Sequence, residues 1–193
     1  EYRINRSGAK LAIVTEEHVE KVNSIRNNCP SLTHLITISG STADGWVCME
    51  DSCRNASSDF ERSKVAPNKS TDPMLIYFTS GTTSMPKMVE RDHAYALAHT
   101  ITQKYWMTLR ETDTHWTLTD TGWAKAAWGL LFPPLIAGST IMLFDNDGFD
   151  AEEHLRIIQD YKVTTFCAPP TVYRLFAQMD VSDYDLSSLR HCI

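Results

Sequence analysis

A run of hydroxyl residues and glycine in the middle of the chain has the composition of a loop that binds an anion. Five of the six residues from 79 to 84 carry a hydroxyl group, and the sixth is Gly81. Backbone N–H groups and short side-chain donors can converge there on one phosphate, because no bulky side chain obstructs them. Pro86 would stiffen the exit of this loop, and Lys87 would supply the positive charge that a triphosphate or a leaving pyrophosphate needs. These residue types predict a phosphate site.

The order of the residues excludes the commonest phosphate-binding motif. Gly81 is followed five residues later by Pro86, Lys87 and Met88, whereas a P-loop has the pattern Gly-x-x-x-x-Gly-Lys-Ser/Thr. The second glycine and the hydroxyl residue that binds Mg²⁺ are absent from the corresponding positions. Composition alone leaves one alternative open, which is a solvated turn rich in serine, threonine and glycine.

The segment over residues 79–87 closely resembles the phosphate-loop signature of the adenylate-forming (AMP-binding) superfamily, Ser/Thr-Ser-Gly-Thr-Thr-Gly-x-Pro-Lys. Acyl-CoA synthetases, firefly-type luciferases and the adenylation domains of peptide synthetases belong to this superfamily. The resemblance implies that the loop grips the phosphates of ATP while a carboxylate attacks the α-phosphorus, which gives an acyl-adenylate and pyrophosphate. The implied phosphate-binding residues are Thr79, Ser80, Gly81, Thr82, Thr83, Ser84, Met85, Pro86 and Lys87. Ser84 stands where the family usually has glycine, and a positive φ there would cost on the order of 1 kcal/mol of strain.

Two later segments narrow the resemblance to one branch of the superfamily. Residues 119–125, Thr-Asp-Thr-Gly-Trp-Ala-Lys, look like a segment of medium-chain acyl-CoA synthetases and their acetyl-CoA synthetase relatives, in which the tryptophan borders the acyl pocket. Residues 168–174, Ala-Pro-Pro-Thr-Val-Tyr-Arg, resemble the family's Ala-Pro-Thr-x-x-Arg region near the acyl and adenylate sites. The resemblance therefore implies Trp123 and Thr171 as acyl-pocket residues. Pattern alone favours a core position for Trp123 in the helix that follows it.

By this resemblance the chain is a segment of an ATP-dependent acid–thiol ligase, an acyl-CoA synthetase. Such an enzyme activates a medium-chain or aromatic carboxylic acid as acyl-AMP and transfers the acyl group to CoA. The implied cofactors are ATP, Mg²⁺ and CoA, of which Mg²⁺ and CoA would be bound mainly by parts of the enzyme outside this segment. The family's adenine segment, its Tyr-Gly-x-Thr-Glu motif and its C-terminal catalytic lysine do not occur within the 193 residues. No catalytic residue is therefore assigned, and the isolated segment is expected to be inactive.

Two alternatives remain open at this point. One is a short nucleotide-binding or interaction module without catalysis. The other lies within the enzyme class and is a relative of peptide synthetases or aryl-CoA ligases, which the Asp-Thr-Gly-Trp sequence disfavours.

Composition and charge restrict the partners of the chain. Hydrophobic residues make up 42% and charged residues 22% of the sequence, which is ordinary for a globular domain. The formal net charge of −6 and the scattered lysines and arginines argue against nucleic acid as a partner. The longest apolar stretch, residues 126–136, is shorter than the ~20 residues that a membrane span needs. Small molecules, namely a carboxylic acid, ATP and CoA, are the expected partners, and the oligomeric state is left open.

The five cysteines are an odd number and lack Cys-x-x-Cys spacing, which favours a reducing compartment over a disulfide framework. The seven histidines do not cluster with the cysteines at the spacing of zinc ligands, so no metal site is predicted. We therefore expect an intracellular protein of the cytoplasm or the mitochondrial matrix.

Alternating strands and helices must position these segments. A continuous apolar run over residues 74–78 predicts a strand that is buried on both faces and leads into the hydroxyl-rich loop. Before it, apolar residues 11–14 and 35–38 predict two strands joined by a helix, which is a βαβ unit. After the loop, Asp92 is placed to cap a helix whose apolar face is expected to pack on the sheet. That face comprises Ala94, Leu97, Ala98, Ile101 and Tyr105.

Predicted strands and helices continue to alternate to the end of the sequence. Strands are predicted over residues 115–119, 139–144 and 163–167. Asp150 and Glu153 form an acidic capping box for a helix between the last two strands. This order predicts an α/β fold of flavodoxin-like βαβ units with mostly parallel sheets, as an incomplete portion of the adenylate-forming N-terminal domain. Residues 1–193 would be one partial AMP-binding domain. Residues 1–72 would end a first α/β subdomain and its connection, and residues 73–193 would contain the phosphate loop and a second α/β subdomain.

Overall fold

The computed structural model describes residues 1–40, 43–80, 85–146 and 148–193. The chain divides into two compact units. Unit 1 comprises residues 1–69 and 74–90, and unit 2 comprises residues 70–73 and 91–193. Four of the predicted phosphate-binding residues, Gly81, Thr82, Thr83 and Ser84, lie outside the described residues.

Unit 1 begins with a parallel three-stranded sheet in the order β1-β2-β3. Its elements are α1 (Tyr2–Ser7), β1 (Leu11–Val14), α2 (Val19–Arg26), β2 (His34–Thr37), β3 (Val47–Cys48) and α3 (Met49–Arg54). Gly8 ends α1 in the left-handed conformation, with φ of 65°, which a residue without Cβ adopts at little cost. Val19, Val22 and Trp46 form the core of this unit. The predicted βαβ arrangement of the opening segment is therefore present as β1, α2 and β2.

The two strands that flank the hydroxyl-rich segment form a separate two-stranded sheet. These strands are β4 (Pro73–Thr79) and β5 (Lys87–Asp92). The prediction that the apolar run of β4 is buried on both faces is wrong for the described structure, because its residues are half-buried or exposed and Ile76 is 39% exposed. A strand with one neighbour and no second layer on both faces leaves part of its apolar surface uncovered.

Unit 2 is built around a four-stranded sheet in which each neighbouring pair is parallel, in the order β7-β6-β8-β9. The strands are β6 (Thr114–Thr117), β7 (Thr140–Ile141), β8 (Thr165–Cys167) and β9 (His191–Cys192). The helices are α4 (Ala94–Thr102), α5 (Phe132–Ala137), α6 (Ala151–Asp160) and α7 (Pro170–Phe176). Two π-helical segments, Gln103–Met107 and Ala126–Leu131, extend α4 and precede α5. The α/β class with mostly parallel sheets is thus confirmed.

The core of unit 2 lies between the sheet and the helices α6 and α7. It comprises Trp116, Ile157, Ile158, Val163, Phe166, Ala168 and Val172. The predicted cap of α6 is present, because the Glu153 backbone N–H donates to Asp150 Oδ1 at 2.8 Å. This cap fixes the first turn of α6.

The apolar face of α4 is not buried as the sequence predicted. The side chains of Leu97, Ile101 and Tyr105 are 69%, 67% and 73% exposed, so this stripe does not pack on the sheet of the described structure. The helix instead turns Tyr95 and His99 toward Phe132 at the start of α5, with ring centroids 6.1 Å and 6.3 Å apart. Aromatic contact with a neighbouring helix, rather than aliphatic contact with the sheet, determines how α4 is rotated.

Candidate functional site

The hydroxyl-rich segment joins the two strands of the small sheet in unit 1. Thr79 is the last residue of β4, Ser80 follows it, and Lys87 is the first residue of β5. The side chains of these three residues are exposed, so their hydroxyl and ammonium donors can reach a polyanion in solvent. Met85 and Pro86 complete the described part of the predicted phosphate loop. Its donor set of hydroxyls and one ammonium fits the phosphates of a nucleotide.

Helix α1 contacts the residues on both sides of this segment. The Tyr2 hydroxyl donates a hydrogen bond to the Pro86 carbonyl oxygen at 3.1 Å. The Tyr2 ring meets the edge of Phe78 on β4 at 6.3 Å, and the Arg3 guanidinium lies 5.8 Å from the centre of the Phe78 ring. These contacts group residues 74–90 with unit 1, whereas the sequence-based division placed the phosphate loop with the second subdomain.

Unit 2 contains a cavity of about 800 Å³ at the end of its parallel sheet. We call it the sheet-edge cavity. It is lined by residues 116–121 at the end of β6, residues 142–146 after β7, and the start of α6 and α7. Because the carboxyl ends of parallel strands meet at one edge of a sheet, the loops that follow β6, β7 and β8 open into the same space. Its volume and position are those of a small-molecule site.

One wall of the sheet-edge cavity is aromatic, and the lining also includes the aliphatic side chains of Leu118, Leu130, Met142, Leu143, Val172 and Leu175. The Trp116 ring stacks on His154 with centroids 5.2 Å apart and planes 12° apart. Phe144 meets the same imidazole edge-on at 5.7 Å, and Phe149 approaches it at 4.5 Å. His154 is 0% exposed, and its Nδ1 donates to the Asp150 carbonyl oxygen at 2.6 Å. Four rings from three separate parts of the chain therefore form one wall.

The rim of the cavity is polar and carries negative charge. Asp120, Asp145 and Asn146 line it together with the hydroxyls of Thr119 and Thr121. Asp120 Oδ1 accepts a hydrogen bond from the Gly122 backbone N–H at 2.5 Å, which fixes the turn that follows β6. A ligand in the cavity would thus meet apolar rings inside and carboxylates at the mouth.

The two predicted acyl-pocket residues occupy different places. Thr171, in the first turn of α7, lines the sheet-edge cavity. Trp123 does not line it, and its side chain is 71% exposed. The role of each residue toward a substrate stays a prediction.

A buried histidine, His115, contacts the cavity-lining residue Thr117 and was missed by pattern reasoning. His115 Nε2 donates to the Gly129 carbonyl oxygen at 3.1 Å and lies 2.8 Å from Thr117 Oγ1, while the Thr165 hydroxyl donates to Nδ1 at 2.7 Å. Burial lowers the pKa of His115 to about 4. The neutral ring thus joins β6, β8 and the π-helical segment before α5. Its position in an alternating strand gives only a weak sequence signal, because its partners lie 14 and 50 residues away.

His154 was also missed. It lies four residues after the predicted cap of α6, but its aromatic neighbours come from distant segments. Such a wall is defined by tertiary packing, and no local spacing in the sequence indicates it.

The chain was compared with protein families and with known proteins. A family model described as "AMP-binding enzyme" matches residues 1–193. The chain is 39% identical over its whole length to the human mitochondrial acyl-coenzyme A synthetase ACSM5, of which it covers 33%. It is 36% identical to human mitochondrial acyl-coenzyme A synthetase ACSM4, also covering 33%. The chain therefore spans about a third of the length of the curated relatives it matches.

Two solved structures of related enzymes are similar to the chain over most of its length. The crystal structure of the anthranilate CoA ligase AuaEII in complex with anthranoyl-AMP matches 99% of this chain, with a TM-score of 0.87 and 30% identity, over 37% of its own length. The Brucella canis acyl-CoA synthetase matches 92% of this chain, with a TM-score of 0.78 and 27% identity, over 31% of its own length. The arrangement of strands and helices described above is thus similar to that of corresponding parts of adenylate-forming enzymes.

Proposed function

The chain belongs to the AMP-binding enzyme family, and on that premise we propose that it forms part of an ATP-dependent acyl-CoA synthetase. The observation that carries this proposal is the family match over residues 1–193 together with relatives that are named acyl-coenzyme A synthetases. In the proposed reaction a carboxylate oxygen attacks the α-phosphorus of ATP and pyrophosphate leaves. The thiol of CoA then attacks the acyl carbon of the acyl-adenylate, AMP leaves, and the thiol proton passes to solvent.

In this proposal, unit 1 binds the phosphates of ATP. The exposed hydroxyls of Thr79 and Ser80 and the ammonium of Lys87 supply donors and one positive charge for the β- and γ-phosphates. Stabilising charge on the leaving pyrophosphate lowers the barrier to the first step. Gly81, Thr82, Thr83 and Ser84 belong to the same proposed site and lie outside the described residues.

Mg²⁺ is the further cofactor that the family implies. Within the parts of the chain that the structure describes, no group of three or more acidic, histidine or cysteine side chains is arranged to hold a metal ion. In this proposal Mg²⁺ is held mainly by parts of the enzyme outside this segment, together with the phosphates of ATP.

Unit 2 would bind the organic acid. Its sheet-edge cavity has aromatic walls, includes Thr171 and is within the usual size range of small-molecule pockets. We propose a medium-chain or aromatic carboxylic acid as the substrate, in accord with the anthranoyl-AMP bound to the similar CoA ligase. Trp123 remains a proposed acyl-pocket residue.

The relatives also suggest a compartment. Both human acyl-coenzyme A synthetases named above are mitochondrial, and we propose the mitochondrial matrix or the cytoplasm for this protein. No helix in the described ranges combines the length and apolar character that crossing a bilayer requires.

Product formation tests the proposed reaction. The protein, prepared at the length at which its cell makes it, is incubated with ATP, Mg²⁺, CoA and either octanoate or benzoate. We expect pyrophosphate release that requires the acid, and an acyl-CoA that is detected by mass spectrometry. The 193-residue chain alone is expected to release no pyrophosphate above the acid-free control. Absence of acyl-CoA from the natural-length protein with both acids and with a wider panel of carboxylic acids would contradict the proposal.

Lys87 provides a sharper test of the phosphate site in the chain itself. Loss of one charged donor should weaken ATP binding about tenfold in Lys87→Ala, as measured by calorimetry. Lys64→Ala is the matched control, because Lys64 is an exposed lysine of unit 1 that pairs with Glu61. Equal affinities in the two variants would place the triphosphate elsewhere.

A binding module without catalysis is the second candidate. It rests on the exposed donors of Thr79, Ser80 and Lys87, which can bind a phosphate without any catalytic step. If the cell makes a protein of this length that binds ATP through Lys87 and releases no pyrophosphate, the module replaces the enzyme as the function.

A further inference from the structure

Helix α4 presents apolar side chains on two opposite sides. One side contacts α5, because the rings of Tyr95 and His99 lie 6.1 Å and 6.3 Å from that of Phe132. The other side carries three apolar residues at intervals of four, which we call the α4 stripe: Leu97, Ile101 and Tyr105. With about 3.6 residues per turn, Leu97 lies on the side of the helix opposite to Tyr95 and His99. Apolar residues on opposite sides are typical of a helix that packs between two layers.

In the described structure no second layer covers the α4 stripe. Its side chains are between 67% and 73% exposed. Single exposed apolar residues are ordinary on a protein surface, whereas an apolar row along one side of a helix marks an interaction site. Residues at this spacing form a ridge that fits between the side chains of a neighbouring element.

Charge indicates what kind of surface the α4 stripe meets. Helix α4 contains no lysine, arginine, aspartate or glutamate, although such residues make up 22% of the sequence. Lys104 follows the helix, and its ammonium lies 5.3 Å from the centre of the Tyr105 ring, at the end of the stripe. The centres of protein interfaces are likewise depleted of charge. A dry, apolar partner therefore fits this side of α4 better than a charged partner or solvent.

Tyr161 shows the opposite case in the same unit. Its side chain is 62% exposed, but Asp160 and Lys162 flank it in the sequence. Lys162 and Asp185 form an exposed ion pair at 2.7 Å. An apolar ring among charged groups is typical of a surface that stays in water. Tyr161 is therefore a matched reference for the α4 stripe.

The length of related enzymes indicates where the partner comes from. The chain covers 33% of human ACSM5 and 37% of the anthranilate CoA ligase AuaEII, so most of each relative lies outside the matched part. The TM-score of 0.87 to AuaEII shows that the fold of these residues occurs within a longer enzyme. Residues of the same polypeptide are held near α4 by the chain itself, at an effective concentration that a separate partner does not ordinarily reach.

We propose that the α4 stripe is the face on which a further apolar segment of the same polypeptide packs, a segment that lies outside residues 1–193. The inference rests on the proposed function, because it takes the chain as part of a longer acyl-CoA synthetase. It concerns packing and requires neither nucleotide nor catalysis. An enzyme that forms no acyl-CoA can still cover the stripe, and an active enzyme can leave it exposed, so the two failures are distinguishable.

One substitution made at two chain lengths tests the proposal. Ile101→Glu places a charge in the α4 stripe. In the natural-length protein this charge would be buried, and the melting temperature should fall by at least about 5 °C. In the 193-residue chain the same side chain is exposed, and the melting temperature should change by less than about 2 °C. Equal shifts at the two lengths would overturn the proposal.

Tyr161→Glu is the matched control for this substitution. It should change the melting temperature by less than about 2 °C at both lengths, because its surroundings are already charged and solvated. A fall in the natural-length protein as large as that of Ile101→Glu would overturn the assignment to α4, since any exposed apolar residue would then give the same result.

Thiol labelling of the natural-length protein completes the test if Ile101→Glu does not fold. The thiols introduced by Leu97→Cys and Tyr161→Cys are treated with iodoacetamide under native conditions, and each site is followed by mass spectrometry of its peptide. The thiol at position 97 should react at least about tenfold more slowly than the thiol at position 161, because it is reached only through local opening. Equal rates would show that nothing covers the α4 stripe and would overturn the proposal.

A second copy of the chain is the competing occupant. Sedimentation velocity of the natural-length protein over a range of concentrations should show no dimer that Ile101→Glu abolishes. Such a dimer would overturn the proposal, since the α4 stripe would then be an interface between copies. A natural length of 193 residues would overturn it as well, because no further segment would exist.

Discussion

His115 shows how one buried side chain supports the cavity without contacting its space. The imidazole is 0% exposed, and hydroxyls of Thr117 and Thr165 and the Gly129 carbonyl surround its two nitrogens. A second proton on this ring would be buried beside groups arranged for the neutral form. Burial is the cause that lowers the pKa of His115 from 6.5 to about 4.

The shift predicts how the stability of unit 2 depends on pH. The folded pKa is below the unfolded value, so the unfolded chain binds a proton first as the pH falls from 6.5 to about 4. The contribution of neutral His115 to the free energy of unfolding should therefore be complete above pH 6.5. It should decrease by about 3 kcal/mol between pH 6.5 and about 4, and should not change further at lower pH. Urea denaturation at a series of pH values measures the decrease.

His115→Gln provides the control, because glutamine keeps an acceptor and a donor but does not titrate in this range. Its stability should be lower than that of the unsubstituted chain above pH 6.5 and should fall less steeply between pH 6.5 and about 4. If both proteins lose stability with the same slope, another group carries the pH dependence.

A motif that is defined by the order of its residues can be found in the sequence, whereas the surroundings of a buried side chain cannot. The segment over residues 79–87 could be interpreted from its order alone, because each member has a fixed local place along the loop. His115 and His154 could not. The partners of His115 lie 2, 14 and 50 positions away, and the aromatic neighbours of His154 come from separate segments of the chain. Their chemistry depends on packing, and packing is not a local property.

At the scale of the element, α6 connects a predicted cap to the cavity wall. Asp150 accepts the Glu153 N–H through its side chain, and its carbonyl oxygen accepts from His154 Nδ1. One residue thus begins the helix and orients the histidine. Because the cap satisfies an N–H group that the first turn of any helix leaves free, it could be predicted from spacing.

Replacement of this cap has a defined cost. Asp150→Ala removes the side-chain acceptor and should reduce the free energy of unfolding by about 1 kcal/mol. Asp150→Ser retains an oxygen at the same place and should recover most of that loss. Chemical denaturation monitored by circular dichroism gives both values.

Asp160→Ala is the matched control, because Asp160 is the last residue of the same helix. A negative charge there opposes the helix dipole, so its removal should leave stability unchanged or raise it slightly. Equal losses at the two ends of α6 would show that the effect is not one of capping.

The strand β4 and the helix α4 show where element prediction failed. Both have clear apolar patterns, yet Ile76, Leu97 and Ile101 are exposed in the described structure. A hydrophobic period predicts which residues share a face, but it does not predict what covers that face. The secondary structure of these segments could therefore be derived from sequence, and their burial could not.

At the scale of the whole chain, the alternation of strands and helices was sufficient to predict the parallel α/β class. Each strand of unit 2 pairs in parallel with its neighbours, as crossover connections through helices require. The strand order β7-β6-β8-β9 was not predictable from the alternation, because several orders satisfy the same connections. Long-range polar contacts distinguish among them.

One of these contacts joins Asp113, just before β6, to Arg190, just before β9. The guanidinium donates to Asp113 Oδ2 at 2.5 Å, across 77 positions of the sequence. Burial opposes ionisation of Asp113, but hydrogen bonds from Arg190, from the Thr164 hydroxyl and from the Arg110 N–H outweigh it and hold the pKa below its ordinary value. The carboxylate therefore connects three strands and the segment before β6.

Replacement of Arg190 should destabilise unit 2. The Asp113 side chain is 4% exposed, so Arg190→Ala leaves a buried carboxylate without its cation and should reduce the free energy of unfolding by about 3 kcal/mol. Arg156→Ala breaks a helical pair whose side chains are both 62% exposed, and should cost less than about 0.5 kcal/mol. Thermal and urea unfolding of both variants compares the two arginines directly. Similar losses in the two variants would mean that the Asp113 carboxylate is solvated after the substitution, and that other contacts hold β9 beside β8.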